Sequence, residues 1–511
     1  MLLNAASPAL TLAVVGTGAM GRGIAQIAAL AGLKVWLHDS APGAADQALL
    51  ALSQTLNTLR DKGKIAPEAA AQAIEALRVA PSLDVLADAH VAVEAIVEDL
   101  GAKQTLFRQL EAVLAPEAVL ATNTSSLSVT AIAAACRHPD RVAGFHFFNP
   151  VPLMKVVEVI AGLRSDPAVL RFLDGLARRM GHTPVQAQDT PGFIVNHAGR
   201  GYGTEALRLL SETVGSPQAI DDVLRGQAGF RLGPFELFDL TGLDVSAPVM
   251  ESIYRQYFDE PRYRPSPITV QRHVAGLLGR KSGEGFYRYA DGKIQRTDYG
   301  THPARQPSAV WICRAEPDLA LRARDLVQAA GATLDTGALP SPASLCIVTP
   351  VGEDVTHCAV DEGIDPGRTV GLDLLFPQDR CAAVYANPRT TPEALAEALG
   401  LLAPVTQSVR VLRDSTGLVT QRVIATIVNI ASDIAQQGIA TPADIDQAVT
   451  LGLGYPQGPL TWGDALGPAR IVRILRGIEA LSGDPRYRSS PWLRRRAELG
   501  LSLRAGELQP D

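Results

Sequence analysis

His146 and Glu158 are two side chains whose types and spacing suit proton transfer. They lie at equal distances along the chain from Pro152, within RVAGFHFFNPVPLMKVVEVI, residues 141–160. Two runs rich in apolar and β-branched residues, 142–148 and 154–160, flank Asn149-Pro150-Val151-Pro152. This pattern predicts two strands that reverse about Pro152. In that register the imidazole and the carboxylate face each other, with Cβ atoms roughly 5 Å apart. A carboxylate so placed fixes the ring tautomer and stabilises an imidazolium, which is the equipment of a general base. A buried structural histidine beside a surface glutamate fits the same spacing, so the remainder of the chain must decide.

Stepping outward from this pair, the N-terminal sequence supplies what a proton shuttle would serve. Residues 10–15 form a short apolar run of strand type, followed at once by Gly16-Thr17-Gly18-Ala19-Met20-Gly21 and a helical stretch over 22–30. A second apolar run, 34–38, ends at Asp39. Strand, GxGxxG, helix, strand and acid make the fingerprint of a dinucleotide site. The first glycine permits a tight turn, the second lets main chain approach a pyrophosphate, and the third lets helix and strand pack closely. The N–H groups that open the helix, at Ala19 and Met20, point at the phosphates. Asp39 is placed to bind both ribose hydroxyls and to repel a 2′-phosphate, so NAD is expected rather than NADP.

Residues 44–78 carry helical spacing interrupted by Gly63 and Pro67, which predicts a helical hairpin projecting from the sheet. Thr55 and Lys62 lie two turns apart on its first helix, and Lys62 with Lys64 offers charge to an anion. Strands are expected at 90–96 and 118–121. Asn123-Thr124-Ser125-Ser126 follows the second of them, ahead of a helix over 129–136. Such a stretch is ordinarily a helix cap. In a doubly wound sheet, however, loops at the carboxyl ends of strands face the ligand crevice, where Ser125 would reach a substrate oxygen. DTPGFIVN (189–196) opens a helical region reaching to about 289, and Asn196 stands one turn into its first helix.

Taken together, GTGAMGRGIA, VEAIVED, NTSSL, HFFNPVPLMKVVEVI, DTPGFIVN, GPFEL and KSGEGFY resemble the L-3-hydroxyacyl-CoA dehydrogenase family over residues 8–290. The resemblance implies His146 as general base with Glu158 as its partner. It places Ser125 and Asn196 on the substrate. It adds Glu98, Lys103, Ser125, Asn149 and Lys281 to Gly16, Gly18, Ala19, Met20, Gly21 and Asp39 at the cofactor. It gives Thr55, Lys62 and Ser125 to the coenzyme A thioester. No metal is expected. The reaction implied is NAD-dependent oxidation of an (S)-3-hydroxyacyl-CoA to the 3-oxoacyl-CoA.

The second half repeats the first. RTVGLDLLFP (368–377) matches RVAGFHFFNP (141–150), and DSTGLVTQ (414–421) matches DTPGFIVN. IDQAVTLGLGYPQGPL (445–460) matches IDDVLRGQAGFRLGPF (220–235), and DPRYRSSP (484–491) matches EPRYRPSP (260–267). Four collinear matches imply duplication of the whole unit. By these offsets His146 falls on Asp373, Glu158 on Tyr385, Ser125 on Gly352 and Asn196 on Gln421, and no GxGxxG follows the strand at 309–313. The expected architecture is an α/β Rossmann-type doubly wound sheet with its helical hairpin (8–189) and an all-α domain (190–290). A linker near 290–307 leads to a degenerate, shortened Rossmann-like domain (305–412) and a second all-α domain (413–505). The second all-α part is expected to pack on the first as an internal pseudo-dimer. The chain would then be a monomer of that kind or a homodimer.

Composition narrows the partners. Net charge is −6, which gives no footprint for nucleic acid. Five scattered cysteines, an odd number without CxxC, suit a reducing cytoplasm better than a disulfide framework. No run approaches the roughly 20 apolar residues of a membrane span, and the N-terminus lacks the basic region of a signal peptide. Duplicated chains of this length resemble bacterial dehydrogenases of aromatic-compound breakdown, such as phenylacetate catabolism, which implies 3-hydroxyadipyl-CoA. The alternatives are 3-hydroxybutyryl-CoA and a free hydroxy acid. A dicarboxylyl substrate would call for a cation, with Arg200, Arg208 and Arg231 as candidates.

Overall fold

Alternate residues of the first strand feed two different cores: Leu12 and Val14 pack to one side, Ala13 and Val15 to the other. A strand covered on both faces reads as a continuous apolar run rather than an alternating one, and it belongs inside a parallel sheet. A computed structural model gives the chain's fold over residues 4–298 and 303–507, so residues 299–302 of the expected linker lie outside the described residues. The chain divides into two compact units, residues 1–197 with 437–453 and residues 198–436 with 454–511.

The first unit runs β1 (Thr11–Val15), α1 (Ala19–Leu30), β2 (Lys34–His38), α2 (Ala44–Asp61), α3 (Pro67–Ala76), β3 (Leu77–Val79), β4 (Val91–Glu94) and α4 (Leu100–Val113). It continues with β5 (Val119–Thr122), α5 (Val129–Ala133), β6 (Val142–Phe147), β7 (Val156–Ala161), α6 (Pro167–Arg179), β8 (Thr183–Gln188) and α7 (Val195–Ala198). The sheet order is β3-β2-β1-β4-β5-β6-β7-β8. Strands are parallel from β3 across to β6, β7 is antiparallel to β6, and β8 is parallel to β7. Strand order reverses between β1 and β4, so the crevice at their carboxyl ends is where this architecture places a dinucleotide. The helices start where the sequence supplies caps: Asp99 accepts from Ala102 N, Ser128 from Ala131 N, and Asp166 from Ala168 N.

The helical hairpin does not stand clear of the sheet. Leu52, Leu56 and Ala73 belong to the same core as Leu12 and Val14, and α3 runs straight into β3, an edge strand beside β2. Three residues, Leu77-Arg78-Val79, are too short a run to read as a strand unaided. The sequence also concealed a contribution from far along the chain. After α16 (Val419–Gln436), described below, comes α17 (Pro442–Leu453), which packs on β7 and β8 of this sheet. Ile439 O accepts from Gln188 N, and a Cβ on Gly452 would press against Val195 and Val156.

The second unit opens with helices α8 (Arg200–Ser211), α9 (Pro217–Ala228), α10 (Pro234–Thr241), α11 (Leu243–Gln256) and α12 (Pro267–Val274), followed by a hairpin of β9 (Arg288–Ala290) and β10 (Lys293–Gln295). Its sheet contains β11 (Ala309–Ile312), β12 (Leu334–Asp335), β13 (Ser344–Val348), β14 (Thr369–Leu372), β15 (Ala382–Ala386) and β16 (Val409–Arg413). Helices α13 (Pro317–Ala329), α14 (Val355–Asp361) and α15 (Pro392–Leu402) accompany it. Helices α16, α18 (Pro459–Leu466), α19 (Pro468–Ser482) and α20 (Pro491–Leu499) complete the unit. The order is β12-β11-β13-β14-β15-β16, with β14 antiparallel to β15. It reproduces the first sheet without β3 and without the β4–α4 unit, which is the physical content of its shortening. Within this unit α8 packs on α16, and a Cβ on Gly201 would lie 3.3 Å from the Ile427 backbone.

Candidate active site

The glycine loop after β1 meets each demand of a pyrophosphate cradle. Gly16 has φ +97°, a conformation that side chains rarely adopt, and its missing Cβ would overlap Ala95 O. A Cβ on Gly21 would fall on Gly16 O, so helix and strand close only on a glycine. Gly18 faces open space and caps α1 without a side chain, leaving the N–H groups of Ala19 and Met20 at an unobstructed helix N-terminus. Asp39 follows β2. Burial raises its carboxyl pKa, but hydrogen bonds from Ala41 N, Thr17 N and Thr17 Oγ1 more than offset this and hold it below its ordinary value. These residues fit NAD: an anion-binding helix end, room at Gly18 and an ionised acid for the ribose.

His146 lies in β6 directly opposite Glu158 in β7, the register expected from the reversal about Pro152. Nδ1 of the imidazole is 2.6 Å from Glu158 Oε2. With the carboxylate as acceptor, Nδ1 carries the hydrogen and Nε2 is left to exchange a proton. Glu158 is fully buried, and its other oxygen accepts from Ile194 N and Val195 N, each at 2.9 Å. Those donors open α7 and come from the motif DTPGFIVN. The sequence flagged that motif for Asn196, but gave no sign that its main chain anchors the glutamate. Phe148 and Phe193 flank the imidazole, with ring centroids at 4.4 and 5.9 Å.

The loop after β5 is tied down by one carboxylate. Glu98 Oε1 accepts from Thr124 Oγ1 at 2.7 Å, Ser125 N at 2.9 Å, and Ser126 N and Oγ at 3.0 Å. Asn196 Nδ2 donates to Ser125 O at 3.4 Å, which brings the two expected substrate residues together. Lys103 does not project toward a ligand. Its ammonium is buried between Glu94 Oε1, at 2.5 Å, and Glu98 Oε2, at 3.2 Å. Any effect of Lys103 on the cofactor therefore passes through Glu98. Glu94, the last residue of β4 and part of the same VEAIVED motif, is given no role by the sequence alone.

The remaining candidates are more dispersed. Asn149 is exposed at the turn beyond β6. Thr55 and Lys62 are exposed on α2 and at its C-cap, respectively. Lys281 belongs to the second unit, where Nζ pairs with Asp244 at 2.6 Å. Of the three arginines, Arg208 is committed to Asp484 at 2.6 Å and Glu212 at 3.0 Å, and Arg231 is exposed. Arg200 opens α8, and burial pushes its guanidinium pKa down to about 10.

Two correspondences with the second copy need correction. Gly144 pairs with Ile160, and Gly371 pairs with Tyr385, so Tyr385 takes the place of Ile160 and Glu158 falls on Ala383. The turn between the strands is shorter in the copy, which the sequence offset did not register. Tyr385 nevertheless accepts from Val419 N through its hydroxyl, reaching the anchor that Glu158 uses in the first copy. The caps Ser128 and Asp354 align Ser125 with Val351 rather than Gly352. Gln421 bonds to Asp373 Oδ1 at 2.9 Å, and Asp373 Oδ2 has no hydrogen-bond partner among the described residues. Among those residues no group of three or more His, Cys, Asp or Glu side chains gathers as a metal site, and no helix is long and apolar enough to cross a membrane.

Known proteins resemble this chain over nearly its whole length. Residues 11–190 match the family model of the 3-hydroxyacyl-CoA dehydrogenase NAD binding domain, and residues 192–289 and 417–507 each match the C-terminal domain of the same family. The 3-hydroxyadipyl-CoA dehydrogenase of Escherichia coli K12 is 36% identical over 492 residues, covering 96% of this chain and 98% of its own. A probable 3-hydroxybutyryl-CoA dehydrogenase of Deinococcus radiodurans is 40% identical over 278 residues, 54% of this chain and 99% of its own. The crystal structure of a 3-hydroxybutyryl-CoA dehydrogenase from E. coli K12 superposes with a TM-score of 0.86 at 34% identity, covering 97% of this chain and 99% of that one.

Proposed function

The chain belongs to the 3-hydroxyacyl-CoA dehydrogenase family, and from that premise we propose how its own residues divide the work. The protein is an NAD-dependent oxidoreductase that converts 3-hydroxyacyl-CoA to 3-oxoacyl-CoA. Bound NAD supplies the hydride acceptor. His146 Nε2 takes the C3 hydroxyl proton, and Glu158 stabilises the imidazolium and holds the ring in place. In the reverse direction the protonated His146 polarises the 3-keto oxygen and returns the proton. Ser125 and Asn196 position the substrate oxygen, and Asp39 selects NAD through the ribose. Thr55 and Lys62 take the coenzyme A portion. The observation that carries this reading is the buried His146–Glu158 pair, 2.6 Å apart, in the sheet that also bears the dinucleotide loop.

For the acyl group we favour a 3-hydroxyadipyl-type dicarboxylyl thioester, because the relative so named spans nearly the whole duplicated chain. 3-Hydroxybutyryl-CoA is the second reading, supported by the naming of the full-length E. coli structure. Comparing kcat/KM for the two thioesters tests the choice, and an advantage for the butyryl compound rejects the first reading. The second all-α part is assigned the place of a partner subunit, which makes the chain active as a monomer. Activity confined to a dimer in light scattering rejects that assignment. Five unpaired cysteines suit the cytoplasm.

A further inference from the structure

Glu94 is fully buried and Lys103 is 1% exposed, a degree of burial that charged side chains almost never show unless paired. Both of Glu94's carboxylate oxygens are in use. Oε1 accepts from Ile96 N at 2.7 Å and from Lys103 Nζ, and Oε2 accepts from Thr122 Oγ1 at 2.7 Å. Thr122 Oγ1 in turn accepts from Thr124 N at 3.2 Å. Glu94 therefore reaches the loop after β5 by two routes, through Lys103 and Glu98 and through Thr122. Both routes end on residues 124–126.

We propose that Glu94 is a positioning residue that sets where Ser125 stands, by fixing Lys103 so that Lys103 holds Glu98 and Glu98 clamps the Thr124–Ser126 loop. It touches neither substrate nor cofactor. The duplication inside the chain provides a natural control. The second sheet lacks the whole β4–α4 unit that carries Glu94, Glu98 and Lys103, and the position of Ser125 holds Val351, which has no hydroxyl to aim. By contrast, the cap that only holds the helix is kept in both copies. Asp189 accepts from Val129 N and Thr130 N, as Asp414 does from Val355 N and Thr356 N. The copy that lost the serine lost the device that aims it and kept the purely structural aspartate.

The proposal rests on Ser125 serving the substrate, and the test separates the two. Full-length Glu94→Gln, Ser125→Ala and the double variant Glu94→Gln/Ser125→Ala are assayed for kcat and KM with a 3-hydroxyacyl-CoA. Glu94→Gln is expected to lower kcat about ten- to a hundredfold, the scale of a small misplacement of a positioning group. In that background Ser125→Ala should cost less than threefold more, because the serine is already out of place. Full additivity of the two losses overturns the proposal, whereas wild-type kcat in Ser125→Ala overturns the serine assignment itself. Glu94→Gln/Lys103→Met guards against a misfolded single variant by removing both buried charges. Its thermal midpoint should return toward wild type while kcat stays low, and recovery of kcat with stability would reduce Glu94 to a structural role.

Discussion

Glu158 joins His146 through one carboxylate oxygen and the main chain at Ile194 and Val195 through the other. The imidazole is thereby referred to two parts of the chain at once, the β6–β7 reversal and the start of α7. Glu158→Gln keeps the shape but loses the charge that stabilises an imidazolium. It should lower kcat by roughly ten- to a hundredfold. Added to His146→Gln it should cost little more, because groups that act as a unit lose their function together. Steady-state kinetics on the single and double variants check this, and multiplying losses would show that the two act separately.

Asp39→Ala should weaken NAD by about ten- to a hundredfold, the worth of losing hydrogen bonds to a charged acceptor. NADP should weaken far less, because the carboxylate that repels a 2′-phosphate is gone. Dissociation constants for both nucleotides, measured by fluorescence titration, decide the matter. An unchanged ratio would contradict the ribose assignment.

Arg422 and Glu205 form a buried ion pair within the second unit, joined by Glu212 at 2.6 Å from Arg422 and by the Tyr487 hydroxyl at 2.6 Å from Glu205. Arg422→Met leaves the buried Glu205 with only the Arg486 guanidinium, 3.9 Å from its other oxygen, and should destabilise by about 3–5 kcal/mol. Glu205→Gln in the same background should recover part of that loss. Denaturant unfolding of wild type and the two variants checks the prediction, and an unchanged midpoint for Arg422→Met would refute it. Because Glu205 comes from the first copy and Arg422 from the second, the result also measures how strongly the duplicated α parts depend on each other.

Asp373 stands where His146 stands in the first copy, and burial pushes its pKa up to about 7, against only partial relief from Gln421. The folded protein therefore keeps a proton that the unfolded chain releases near pH 4. The stability contributed by this group is present below that pH and is lost as pH rises through about 7. Over this window wild type should lose roughly 1.4 kcal/mol per pH unit relative to Asp373→Asn. Asp221, buried and pushed up to about 8, titrates alike in both proteins and cancels in the difference. Urea unfolding from pH 5 to pH 8 checks the divergence, and parallel curves would contradict it. Turnover should be unchanged, since this copy has neither the histidine nor the glycine loop of the first.

Much of the site was legible because its signals are local. The spacing of Gly16, Gly18 and Gly21, the end of β2 at Asp39 and the symmetry of His146 and Glu158 about Pro152 each follow from a few neighbouring residues. What stayed hidden depends on partners remote in sequence or on main-chain groups. The anchoring of Glu158 by Ile194 N and Val195 N leaves no side-chain mark. Lys103 is placed at the cofactor by resemblance alone, and nothing local in the sequence shows that Glu94 and Glu98 enclose its ammonium. The sequence of 44–78 predicts a projecting hairpin because nothing in it reveals that Leu52 and Leu56 meet the sheet core. The copy's strand register slipped because a shortened turn moves every partner without altering the strands themselves.

The central claim is that His146 moves the proton while the dinucleotide site remains intact without it. The most direct measurement is kcat for His146→Gln alongside its NAD dissociation constant. The account predicts a fall in kcat of about two orders of magnitude or more, with NAD affinity within a few-fold of wild type. Near-normal turnover, or a loss of turnover explained wholly by loss of NAD binding, would contradict it.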